Sequence, residues 1–142
     1  LTSNGRRKKL MITIAMALNA NTDNNTYKDI VISSLALRPE GYVLAVDFDG
    51  TLCHDKYPEI GEERKQVVEF VRHAKALGVK VILWTLREGA LLGSALVWCV
   101  ERGLIFDAVN DNTEDRKALY GNNPRKVGYD ELWDDRATWP WG

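Results

Sequence analysis

Cysteine is scarce: only Cys53 and Cys99 occur, far apart, with no C-x-x-C pair and no cluster of the two histidines beside them. A disulfide framework and a Cys/His zinc site are thereby excluded, and a reducing cytoplasm is the expected location. Charge of one sign is equally absent. Nineteen Lys and Arg stand against twenty Asp and Glu, a formal net charge of -1, so no global field draws in nucleic acid or an anionic membrane. An anionic ligand has to be held locally. No apolar run approaches the ~20 residues that a membrane-spanning helix needs. Arg6-Arg7-Lys8-Lys9 before the apolar run Leu10 to Leu18 has the order of a secretion signal. The run fits the small-residue cleavage pattern poorly at Leu18, and it reads better as a solvated basic turn followed by a short strand or helix. Without a firm signal, the sequon Asn24-Asn25-Thr26 reads as coincidence. Repeats and low-complexity tracts are also missing, which excludes solenoids and disordered linkers.

What is present suits one globular domain: 142 residues, 45% of them hydrophobic. Residues 19–26 are almost all small polar turn formers and read as a loop before the apolar stretch Ile30 to Leu37. Arg38-Pro39-Glu40-Gly41 then punctuates the chain, because Pro39 stops a helix and Gly41 frees the backbone. The boundary falls there, with 1–40 an N-terminal extension of unknown role and 41–142 the main domain.

From Tyr42 the pattern changes. Tyr42 to Val46 is an unbroken apolar run, as expected of a strand covered on both faces, and it ends at Asp47. Val67, Phe70, Val71, Ala74 and Leu77 recur at helical spacing before Gly78. The unit then repeats: Val79 to Trp84 reads as a strand, and Leu92, Ala95, Leu96 and Cys99 as a helix stopped by Gly103. Leu104 to Phe106 with Ala108-Val109 reads as a third, weaker strand, and Tyr129 to Trp133 as a fourth. Alternating strands and helices predict an α/β fold, a Rossmann-like three-layer sandwich with a small, mostly parallel sheet. Ligands bind such sheets beyond the carboxyl ends of the strands, where Asp47, Thr85 and Asp134 are all expected to arrive.

Those residues can do one chemistry together. A phosphate monoester is a dianion, and a carboxylate attacks it only where a cation offsets the repulsion. Asp47 and Asp49, two apart with Phe48 between, share a strand face, and Gly50 permits a sharp turn. Asp47 can attack phosphorus while Asp49 protonates the departing oxygen and later activates water. Thr85 offers a hydroxyl and Lys126 a point charge for phosphoryl oxygens. Asp134 and Asp135 offer the hard oxygen ligands that Mg²⁺ prefers.

Val46-Asp47-Phe48-Asp49-Gly50-Thr51-Leu52 resembles the first motif of the haloacid dehalogenase superfamily. D-x-D-G-T arises by chance in a chain of this length on the order of once in a thousand, taking ordinary residue usage. The resemblance extends over residues 41–137 and narrows to a small, nearly capless phosphatase-like subgroup of bacteria and phages. It also rests on Tyr57 to Gly61, Leu83 to Gly89, Phe106 to Asn110, Asn123 to Lys126 and Asp134 to Ala137. It implies a minimal cap and Mg²⁺ as cofactor. Asp47 would be the nucleophile, forming an aspartyl-phosphate, and Asp49 the acid/base, its backbone carbonyl also reaching the metal. Asp134 would be a metal ligand, and Asp135 is placed with the metal group as an outer partner. Thr85 and Lys126 would hold the phosphoryl group. Gly50, Thr51 and Arg87 are grouped with them on the substrate, Arg87 either clamping substrate or ordering an acid. One departure is plain: Asp130 and Glu131 interrupt the apolar run of the last strand. Charges there are tolerable on an edge strand, which is where the superfamily pattern puts it, beside the first strand.

The expected activity is therefore hydrolysis of phosphate monoesters of a small phosphorylated metabolite at an open site. A nucleotide or nucleic-acid-end phosphatase is the second expectation, although the near-neutral charge weighs against tight polymer binding. A catalytically idle binding module of the same fold is a third, opposed by the intact Asp47, Asp49, Thr85 and Lys126. A phosphoacceptor signalling domain is disfavoured by Asp49, a base that would speed water attack.

Overall fold

The structure, a computed structural model, describes residues 24–138 and 140. The basic run at Arg6, the apolar run Leu10 to Leu18 and most of the loop assigned to 19–26 lie outside the described residues. Helix α1 (Asn24–Leu35) comes first, then strands β1 (Val43–Val46), β2 (Cys53–Lys56) and β3 (Glu59–Glu63) and helix α2 (Lys65–Ala76). Strand β4 (Lys80–Leu83), helix α3 (Gly89–Glu101), strand β5 (Ala108–Val109), helix α4 (Glu114–Tyr120) and strand β6 (Glu131–Trp133) complete it. No described helix is long and apolar enough to cross a membrane.

The sheet has the order β5-β4-β1-β6, every pairing parallel. β1 is central and buried at all four positions, as its unbroken apolar run requires. The chain moves from β1 to β4 to β5 in one direction and then returns across the whole sheet to β6. Right-handed crossovers therefore put α2 and α3 on one face and the α4 segment on the other, giving a Rossmann-like three-layer α/β sandwich. The packing follows. Leu44, Val46, Val81 and Leu83 share a large core with Val68, Val71 and Ala74 of α2 and Ala95 and Cys99 of α3. Val43, Ala45 and Ile82 face the other way onto Val127, with Leu132 and Ala108 at the margin.

Four differences from the sequence expectation have physical causes. The third strand shrinks to Ala108–Val109: Leu104 is buried in the core, Ile105 is 70% exposed, and the edge begins only where Asp107 accepts the Val81 N–H at 2.8 Å. The connection after Thr51 is an antiparallel hairpin, β2 on β3, whose strands are largely polar and so carry no apolar alternation. Helix α4 is new, although its punctuation is regular: Thr113 caps it, Glu114 and Asp115 lie in the first turn, and Gly121 ends it at φ 73°. Lastly, α1 begins at Asn24, inside the stretch read as a loop, and packs on α2 with Leu35 in the main core and a Lys28–Glu69 ion pair at 2.7 Å.

The interrupted strand β6 does lie at the sheet edge, beside β1. Its acids are fully engaged. Glu131 Oε1 accepts from Arg38 Nε at 3.1 Å and Tyr42 Oη at 2.9 Å, while Oε2 accepts from Trp133 Nε1 at 2.6 Å. Asp130 Oδ2 accepts the Val43 N–H at 2.9 Å and Arg116 Nη2 at 2.6 Å.

Candidate active site

The parallel register aligns Val46 with Leu83 and Trp133, and Leu83 with Val109. One residue further on, Asp47, Trp84, Asn110 and Asp134 therefore leave the sheet in a common row at its carboxyl edge. β1 lies where the chain's path reverses, with β4 on one side and β6 on the other, and ligands of open α/β sheets bind at such a switch point.

Asp47 is half-buried and its amide donates to the Trp133 carbonyl at 2.9 Å, extending the β1–β6 ladder to the site. Carboxylate oxygens of Asp47, Asp134 and Asp135 lie within 4.8 Å of one another. Burial, and next the negative charge of Asp134 with a smaller push from Asp135, raise the Asp47 carboxyl to about 7 against a Phe48 backbone hydrogen bond.

Gly50 stands at φ 90°, and a Cβ there would collide with the Asp135 carboxylate. The Thr51 hydroxyl, 8% exposed, donates to Asp47 Oδ2 at 3.4 Å and accepts the Asp135 N–H at 3.1 Å. Asp49 accepts a two-pronged hydrogen bond from Arg87, Nε to Oδ2 at 2.7 Å and Nη2 to Oδ1 at 2.8 Å. Arg87 is 1% exposed and gives two further N–H groups to the carbonyls of Glu59 and Leu91. Its guanidinium carbon lies 5.2 Å from the ring centroids of both Phe48 and Tyr57.

The acids open into a cavity of about 540 Å³ lined by Asp47, Asp49, Trp84, Thr85 and Asp134, with Asp55, Tyr57, Leu86 and Arg136 nearer its mouth. Thr85 is thus where the sequence puts it. Gly50, Thr51 and Arg87 are not among the residues lining the cavity: Gly50 makes room for Asp135, Thr51 ties Asp47 to Asp135, and Arg87 orders Asp49, one of the two roles expected for it. All three shape the acids. Lys126 is exposed and lines a second depression with Tyr120, Pro124 and Tyr129, with no hydrogen bond or ion pair to Asp47 among the described residues.

Two asparagines at the site went unassigned in the sequence. Asn110, at φ 50°, accepts the Thr85 N–H on Oδ1 at 2.8 Å and so shapes the loop that carries Thr85 and Arg87. Its signal was a residue tolerant of the left-handed region one step past a strand. Asn112, 2% exposed, donates to Asn123 Oδ1 and the Pro124 carbonyl at 3.0 Å and accepts the Gly128 N–H, fixing the segment that bears Lys126. The thiols take no part: burial pushes both up, Cys99 to about 12, where little nucleophilic thiolate exists.

Among solved structures, the chain is similar to a conserved protein coded by a locus of Bacteroides thetaiotaomicron. The two share 40% identity at a TM-score of 0.60, over 67% of this chain and 76% of that one. No protein-family model and no curated protein matches the chain.

Proposed function

The chain belongs to the family of that conserved Bacteroides thetaiotaomicron protein, and from the acids at its sheet edge we propose that it is a Mg²⁺-dependent phosphohydrolase of the haloacid dehalogenase type. It cleaves phosphate monoesters of a small metabolite through an aspartyl-phosphate on Asp47. The observation that carries this is the convergence of Asp47, Asp134 and Asp135 within 4.8 Å at the switch point of a parallel sheet.

The residues fit the metal. Three hard carboxylates in one cradle, which a Cβ at Gly50 would invade, form a donor set suited to Mg²⁺, and Asp47 is raised first by burial and then by the charge of Asp134, which a bound cation would offset. Asp47 and Asp134 would hold the ion, with the Asp49 carbonyl, and Asp135 would contribute directly or through water. When bound, Mg²⁺ neutralises the acids and the phosphoryl oxygens, so that anion can approach anion.

The chain's own groups do the rest. An Asp47 oxygen attacks phosphorus in line, the phosphorus to leaving-oxygen bond breaks, and Asp49 gives that oxygen its proton. Asp49 then takes a proton from water, whose oxygen attacks the same phosphorus and releases phosphate and the Asp47 carboxylate. Arg87 occupies one lone pair on each Asp49 oxygen, which holds the carboxylate in one plane and leaves a second lone pair for the proton. The Thr85 hydroxyl binds a phosphoryl oxygen; Lys126 lines a separate depression and has no part in the step. The protein acts in the cytoplasm, in keeping with two buried free thiols.

Purified protein with a generic aryl phosphate and Mg²⁺ should turn over, and stop with chelator or Asp47→Asn. Absence of turnover across a broad phosphoester panel would replace catalysis with a binding module.

A further inference from the structure

The wall of the cavity differs from its floor. Asp47, Asp49 and Asp134 make the floor acidic, whereas Tyr57, Trp84 and Leu86 bring two aromatic rings and an aliphatic chain to the same space. Tyr57 belongs to the turn between β2 and β3 and is 56% exposed; Leu86 is 99% exposed.

Tyr57 is not a loose surface ring. Its amide donates to Asp55 Oδ1 at 3.2 Å, and Asp55 pairs with Arg136, another residue lining the cavity, at 3.4 Å. Its ring rests on the Arg87 guanidinium, which packs on Phe48 as well and grips Asp49 with two hydrogen bonds. Arg87 is buried and held by four side-chain hydrogen bonds, so the ring is registered to the carboxylate that serves the leaving oxygen. Whatever carries that oxygen emerges from Asp49 beside Tyr57, within reach of Trp84 and Leu86. Tyr57 is 56% exposed and lines the cavity, so its ring offers surface to a planar group, and a ring held in advance costs little ordering on binding.

From this geometry, and resting on the phosphohydrolase reading, we infer that the preferred substrates are phosphate monoesters whose leaving alcohol carries a planar aromatic ring, seated between Tyr57, Trp84 and Leu86. Aromatic contacts of this kind correspond to selectivity of roughly 3- to 10-fold.

The test compares 2-phenylethyl phosphate with 2-cyclohexylethyl phosphate in the full chain with Mg²⁺. Both release a primary alcohol of similar acidity and equal carbon count, so their kcat/KM ratio isolates planarity. The phenyl ester should be favoured by about 5-fold or more, with Tyr57→Phe keeping the ratio and Tyr57→Ala lowering it toward one. Leu86→Ser, at a position too exposed to affect folding, should lower it by about 2-fold. Equal turnover of the two esters, or a preference that survives Tyr57→Ala and Leu86→Ser together, overturns the aromatic subsite while leaving the phosphohydrolase standing. Hydrolysis of neither ester, nor of any generic phosphoester, removes both.

Discussion

Arg87 and Asp49 form a buried, two-pronged ion pair, with distances of 2.7 and 2.8 Å and the guanidinium 1% exposed. Arg87 therefore acts through Asp49. Replacing one partner of such a pair strands the other, at a cost of about 3–5 kcal/mol. Arg87→Ala should show that loss in urea unfolding. Arg87→Lys keeps the charge but not the planar fork, and should lower kcat by about 10-fold or more with little change in KM, because no substrate contact is removed.

Gly50 leaves space that the Asp135 carboxylate fills. Gly50→Ala puts a methyl group there and strains a residue at φ 90° by about 1 kcal/mol. The displaced carboxylate should raise the Mg²⁺ concentration needed for half-maximal thermal stabilisation by about 10-fold.

Asp47 links stability to pH. Its folded value is pushed up to about 7, above the unfolded value near 4, so the unfolded chain gives up its proton first. The contribution of Asp47 to the stability of the metal-free protein is full below pH 4 and should be lost as pH rises from roughly 4 to 7. Asp47→Asn should therefore melt higher than wild type at pH 7 and close to it at pH 4, by ~4 °C for each kcal/mol recovered. Added Mg²⁺ should raise the wild-type melting temperature most at neutral pH. A difference between wild type and Asp47→Asn that stays constant over this range in the absence of metal would disprove the linkage.

Glu131 holds the extension to the sheet. It accepts from Arg38, Tyr42 and Trp133, three donors in three different segments. Glu131→Ala should cost about 1–3 kcal/mol in urea unfolding by leaving those donors unmatched. Tyr42→Phe, which removes a donor and leaves the acceptor with two others, should cost about 1 kcal/mol or less.

Asp47 was legible because everything before it is apolar: a four-residue strand buried on both faces has to stop where a carboxylate begins. The helices α2 and α3 were legible for a similar reason, since their buried residues recur at helical spacing and Gly78 and Gly103 end them at positive φ. The β2–β3 hairpin was not, because its polar residues overlie a site instead of a core, and so hydrophobic alternation never marks them.

Local patterning thus decided the α/β class, the strand carrying Asp47 and the order of the acids along the chain, since apolar periodicity and turn chemistry act between near neighbours. Which residues touch substrate and which brace the acids depended on tertiary contacts. Arg87 lies 38 residues from Asp49, and Asp135 lies 84 from Thr51. Asp130 and Glu131 looked like flaws in a strand, and become its anchors only when Arg116, Arg38 and Tyr42 are brought alongside. A charge in a sequence has no partner until the chain folds, and the partner determines whether it is a fault, a brace or a catalyst.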